Sequence, residues 1–92
     1  MRYAISKDDL LRHKKTGEMF VATSSEYTHR FMDAEDHEMV AHGMGEYAGS
    51  YGTAVAVTSV KTGKSWRLRL AHDRKNYDNV TAMAEVLEEE VA

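Results

Sequence analysis

The chain has 92 residues, enough for one domain, and its 42% apolar and 29% charged residues are those of a folded protein rather than a disordered one. It contains no cysteine, which excludes disulfides and thiolate metal sites, and no apolar run near the ~20 residues of a membrane span. The opening residues, Met1-Arg2-Tyr3-Ala4-Ile5-Ser6, lack the apolar stretch of a leader, so cytoplasmic residence is expected, and the net charge of −3 argues against a protein that coats nucleic acid.

In chain order, the first predicted element is a helix at about 7–16. Ser6 caps it, Asp9 stands where a short capping box would close, and Ile5 and Leu10 form a hydrophobic staple. Lys14 and Lys15 suit its C-terminal dipole and Gly17 stops it. Residues 18–32 read as a hairpin, with alternating strands on either side of a turn at Ser24-Ser25-Glu26. A helix over 26–42 is the rival reading, but its apolar stripe breaks at Glu35 and Asp36. A second helix starting after Asp33 and ending at Gly43 fits better. Residues 43–53 carry four of the six glycines together with Tyr47 and Tyr51, and read as a loop.

A second hairpin follows, with strands at 54–60 and 65–70 joined by Lys61-Thr62-Gly63-Lys64. One register places Val60 opposite Lys64. The register one step along puts Val55 and Val57 on the face of Trp66, Leu68 and Leu70, and burial favours it. The last helix begins near Val80, capped by Asp78 or Asn79, with Val80, Met83, Ala84, Leu87 and Val91 as its apolar stripe. The fold class is therefore α+β: two β-hairpins in a mainly antiparallel sheet packed by about three helices. Leu10, Leu11, Phe31, Val55, Val57, Trp66, Leu68, Met83 and Leu87 are the expected core.

Charge is segregated along the chain. Residues 61–75 hold six basic side chains against Asp73, and residues 26–46 hold six acids against Arg30. Such segregation either polarises the surface or cancels between neighbouring elements. Arg67 and Arg69 alternate away from Trp66 and Leu68, with Lys61 and Lys64 at the hairpin tip, where they can lie along phosphates or an acidic protein. Trp66 falls on the other face, so the hairpin by itself offers no base-stacking platform. Tyr47 and Tyr51 on the glycine loop are the second candidate contact.

His29, Asp33 and His37 are spaced four apart, as ligands on one helix face would be, but His37 and His42 are five apart, which misses the four-apart spacing by about 100° around a helix. No metal and no cofactor are expected. Gly43-Met44-Gly45-Glu46-Tyr47-Ala48 matches a relaxed dinucleotide pattern, yet it follows a helix and precedes a strand, the reverse of what pyrophosphate binding needs. No nucleophile elbow or other catalytic motif appears. The expectation is a small non-enzymatic protein-binding module of accessory or inhibitory type, in the style of phage or mobile-element proteins, as a monomer or small homo-oligomer. A nucleic-acid binder using the basic hairpin 61–75 is the alternative. A metal-dependent enzyme or sensor using His29, His37 and His42 comes third.

Overall fold

The computed structural model describes residues 2–91. Six strands form one antiparallel sheet, with three helices beside it: β1 (Leu10–His13), β2 (Met19–Ala22), β3 (Tyr27–Phe31), α1 (Ala34–Ala41), β4 (Ser50–Ser59), β5 (Ser65–Arg69), α2 (Leu70–Asp73), β6 (Tyr77–Asn79) and α3 (Val80–Val91). The α+β class is as the sequence predicts, although one helix and one hairpin lie elsewhere.

The segment expected to be the first helix is a turn and a strand. Asp8 adopts a left-handed φ of 75°, and Asp9 N–H donates to the Ser6 carbonyl, which closes a tight turn where the helix would start. The chain then enters β1, which pairs β2 on one edge and β6 on the other. Leu11, opposite both Phe20 and Asn79, is completely buried. Burial between two strands outweighs the local helix signals, which are worth only tenths of a kcal/mol to ~1 kcal/mol each.

The hairpin expected at 18–32 is also absent, because β2 and β3 do not pair with each other. Both pair with β4, Ala22 facing Val57 and Tyr27 facing Ala54, so residues 23–26 oppose only two residues of β4. The Ser24-Ser25-Glu26 signal is a bulge in one long broken strand. Side chains fill it: Ser24 Oγ accepts from Ala56 N–H, Ser25 Oγ from Lys7 N–H, and Glu26 from Ile5 N–H. Arg74 also binds the Glu26 carboxylate, at 2.8 Å, and lies over the Tyr3 ring.

The two hairpins that do form are β1–β2 and β4–β5, and their loops are built alike. His13 N–H donates to the Glu18 carbonyl as Ser59 N–H does to that of Lys64, and Gly17 N–H donates to His13 as Gly63 N–H does to Ser59. In each loop a threonine hydroxyl, of Thr16 or Thr62, accepts from the residue after the glycine. Both glycines have φ near 74°, which their missing Cβ permits. The β4–β5 register pairs Val55 with Leu68 and Val57 with Trp66, which is the burial-favoured alternative.

One face of the sheet carries the core: Leu11, Phe20, Ala22, Val55, Val57 and Leu68, closed by Ile5, Leu70 and the partly buried Tyr77. Of the expected core, Leu11, Val55, Val57 and Leu68 are here. Trp66 is 39% exposed and leans edge-on against Phe20. Leu10 is half-buried, and Phe31 is half-buried on the opposite face. Met83 and Leu87 are exposed, because α3 meets β1 through Thr81 and the buried Ala82, which lie off the expected stripe. The side chain of Val91 lies outside the described residues. Asn79 caps α3 by accepting from Ala82 N–H. Helix α1 starts in an Asp33–Asp36 capping box and buries no residue. It follows β3, which pairs with the outer half of β4, and the three form an arm; the molecule measures 58 by 26 by 20 Å.

The start of the chain is fixed by a buried carboxylate. Asp9 accepts two bonds from the Arg2 guanidinium, at 2.6 and 2.7 Å, one from Ser6 N–H and one from Asn79 Nδ2. Arg2 also reaches Glu85 of α3. The Arg2 hydrogen bonds, opposed by burial, carry the Asp9 pKa from 3.8 down to about 2. The folded chain thus holds this proton less tightly than the unfolded chain. The resulting stability is complete above pH ~4 and is lost as pH falls toward ~2, a change of roughly 2 kcal/mol. Urea unfolding from pH 6 to pH 2 should show this loss, and Asp9→Asn should flatten the profile in the same window. An unchanged profile in the variant would show that other carboxylates set the acid limit.

Candidate functional site

The sheet face opposite the core holds the densest grouping of chemically distinctive side chains. Direct partners share a face, so pairing of Tyr27 with Ala54, His29 with Gly52 and Phe31 with Ser50 places an aromatic row on the face of Gly52, Ala54 and Ala56. On the other side of β4, Ala54 pairs with Arg69 and Ala56 with Arg67. The result is an aromatic row on β3 and an arginine row on β5, staggered along a small-residue row on β4 and meeting across Ala54. The helices lie elsewhere, α1 against the 3-10 turn Gly45–Tyr47, α2 against β4 and β5 where Leu70 joins the core, and α3 against β1.

The small central row lets the arginines lie across it. Arg67 Nε donates to the Tyr27 hydroxyl at 2.7 Å, and the Arg69 guanidinium sits 4.7 Å from the centre of the Phe31 ring. Arg69 Nη2 donates to Ser50 Oγ at 3.1 Å, while its Nε is buried with no acceptor. His29 stands edge-on between Tyr27 and Phe31, with centroids 6.1 and 4.9 Å away. Gly52 lies beneath them: a Cβ there would come within 3.4 Å of the Phe31 ring and 3.8 Å of Arg69 Nε.

These arginines have no acidic partner. Among the described residues the ion pairs are Arg2 with Asp9 and Glu85, Arg12 and Lys14 with Asp78, and Arg74 with Glu26. None involves Arg67, Arg69, Lys61 or Lys64. Lys61 and Lys64 are exposed at the β4–β5 tip, continuous along the chain with the arginine row. The acids of 26–46 lie in the bulge, on α1 and its cap, and on the Gly45–Tyr47 turn, and none of them pairs with Arg67 or Arg69.

The tyrosines are placed apart from the arginines. Strand β4 begins at Ser50, earlier than expected, so Tyr51 is a strand residue paired with Arg30 and alternates onto the face opposite Arg67 and Arg69. Tyr47 lies on the 3-10 turn, and both rings are exposed. Arg30 holds that loop through the carbonyls of Gly45 and Ala48. The structure thus splits the six predicted contact residues into an arginine face, a lysine tip and a separate tyrosine loop. Sequence reasoning missed Tyr27, His29 and Phe31. Their alternation is visible in the sequence, but their partner strand is not.

His29 belongs to the aromatic row, whereas His37 and His42 are exposed on α1 and its end. Among the described residues no three His, Cys, Asp or Glu side chains gather where they could hold a metal. A cleft of about 720 Å³ beside α2 is lined by Tyr3, Leu70, Arg74, Tyr77, Asp78 and Met83, among others. Its Arg74 and Asp78 are already paired with Glu26 and with Arg12 and Lys14. No described helix is long and apolar enough to cross a membrane. No protein-family model matches this chain, and no curated protein or solved structure matches it.

Proposed function

We propose that the chain is a non-enzymatic binding module that grips an anionic partner through the Arg67–Arg69 face. One observation carries this reading: two guanidinium groups, charged at any physiological pH, lie beside aromatic rings with no carboxylate to neutralise them. Arg2, Arg12 and Arg74 pair with acids and Arg30 is held by the Gly45 and Ala48 carbonyls, whereas the guanidinium groups of Arg67 and Arg69 meet only hydroxyls and rings. The protein-partner reading and the nucleic-acid reading share this surface, since acidic side chains and phosphates both accept from the guanidinium fork.

The test is the double variant Arg67→Glu/Arg69→Glu. Arg67 is exposed and Arg69 half-buried, and a cation–π contact contributes only ~0.5–1 kcal/mol, so the variant should fold with a slightly lowered melting temperature. Retention of the protein on immobilised poly-glutamate and on an immobilised oligonucleotide should fall at least about tenfold for whichever polymer the parent binds. A folded variant that binds as well as the parent would remove this face from the function and leave Tyr47 and Tyr51 as the next surface.

A further inference from the structure

We propose that the anionic partner is a single-stranded nucleic acid, laid along the sheet with bases over β3 and phosphates toward β5. This rests on the reading of the Arg67–Arg69 face as the contact surface, and adds what that reading leaves open.

Four observations favour a polynucleotide strand over an acidic protein. First, Tyr27, His29 and Phe31 repeat at alternate positions of one strand, so their spacing follows the ~6.7 Å two-residue rise of a β-strand. Successive rings stand at 83° and 78° to each other, so the row offers bases both ring faces and ring edges, and stacking on aromatic rings tolerates any sequence. An acidic peptide gains nothing from such a row. Second, the aromatic and arginine rows meet across β4 at Ala54, which pairs with Tyr27 on one side and Arg69 on the other, two strand spacings or ~10 Å apart, and the arginine row runs on past the aromatic row to Ala56. The helices pack elsewhere, and among the described residues this face is made of strands with no helix that would enter a duplex groove. Third, Lys61 and Lys64 are exposed at the tip of the β4–β5 hairpin, so positive charge extends along the chain beyond the aromatic row. Fourth, Arg69 Nε is a buried donor without an acceptor. If Arg69 turns outward to a phosphate, it gains a charge-assisted bond and this donor is relieved of its unmatched position.

The acidic character of the rest of the molecule fits this arrangement. Glu88, Glu89 and Glu90 are exposed on α3, away from the face, and repel a polyanion from other surfaces. Net charge −3 therefore disfavours indiscriminate coating while leaving a local site.

Fluorescence anisotropy with a labelled oligo-thymidylate, its duplex form and labelled poly-glutamate, at ~50 and ~200 mM salt, tests the proposal. The oligo-thymidylate should bind more tightly than the duplex or poly-glutamate and weaken with salt. Arg67→Glu/Arg69→Glu should lose at least about tenfold, and His29→Ala, which removes a stacking ring, about tenfold. His29→Phe should restore most of that loss, and it keeps the test valid if the alanine variant folds poorly. Binding of poly-glutamate but not the oligonucleotide, lost in the arginine variant, would overturn the nucleic-acid assignment and leave the face itself standing. Equal affinity for duplex and single strand, or oligonucleotide binding indifferent to both His29 substitutions, would also overturn it. If no polymer binds, both the assignment and the anionic-partner reading fall.

Discussion

Leu11→Ala should lower the unfolding free energy by ~3–5 kcal/mol. A domain of this length has only roughly 5–14 kcal/mol in total, so a large share is removed. Leu11 is completely buried, pairs directly with Phe20 of β2 and Asn79 of β6, and lies in the same cluster as Val55, Val57 and Leu68. Truncation leaves a cavity at the joint of three strands, where no single side chain can move in without leaving its own partner. Leu68→Ala, at a buried position paired with Val55, should cost ~2–5 kcal/mol for the same reason. Leu87 belongs to the expected apolar stripe of α3 but is 62% exposed, so Leu87→Ala should cost under ~1 kcal/mol. Urea midpoints of the three variants check the ranking. A Leu87 effect as large as that of Leu11 would mean that α3 is covered in solution by something other than this sheet.

The contrast between Leu11 and Leu87 shows where sequence patterns inform and where they mislead. Both lie on amphipathic segments with capping signals. Asn79 caps α3 and Asp33 caps α1, because each side chain meets backbone N–H groups within its own turn. The signals around Ser6 and Asp9 are equally good locally. Ser6 N–H does donate to the Asp9 carboxylate, as a capping box requires, but Arg2 and Asn79 also claim that carboxylate and the chain continues as a strand. Those partners are distant in sequence and leave no periodic trace. One signal for the first hairpin was present. Lys15-Thr16-Gly17 and Lys61-Thr62-Gly63 are the same tripeptide, and both make the same loop. Reading the second as a hairpin tip argues for reading the first that way too.

The candidate face was half legible for a similar reason. Alternation within β5 sets Arg67 and Arg69 against Leu68, and the structure keeps that separation. The aromatic row needed the pairing of β3 with β4, which depends on a two-residue bulge at 23–26. Serines and a glutamate mark a turn as readily as a bulge, and only the long-range bonds of Ser24 and Glu26 distinguish them.

Gly49→Ala should have the other large effect, and it should be local. Gly49 has φ of 80°, where a side chain costs ~1–2 kcal/mol, and an added Cβ would lie 2.9 Å from the Phe31 carbonyl oxygen, 3.0 Å from Met32 Cγ and 3.1 Å from Arg30 Cγ. A backbone oxygen cannot rotate aside, so the strained turn and the clash together should cost ~2–4 kcal/mol. The clash falls at the Phe31–Ser50 pair that ends the β3–β4 ladder, on an arm where neither β3 nor α1 buries a residue. Amide exchange in residues 27–31 and 50–53 should therefore accelerate by about a hundredfold, while Leu11 and Val57 keep most of their protection. Gly43→Ala serves as the control. Its φ is 78°, but nothing lies within 4 Å of the added Cβ, so only the conformational cost should appear. Because Ser50 accepts from Arg69 and Phe31 lies under its guanidinium, the Gly49 variant should also weaken oligonucleotide binding although it leaves every cation in place. Unchanged exchange on the arm, or exchange that rises equally across the core, would show that this turn does not position the face.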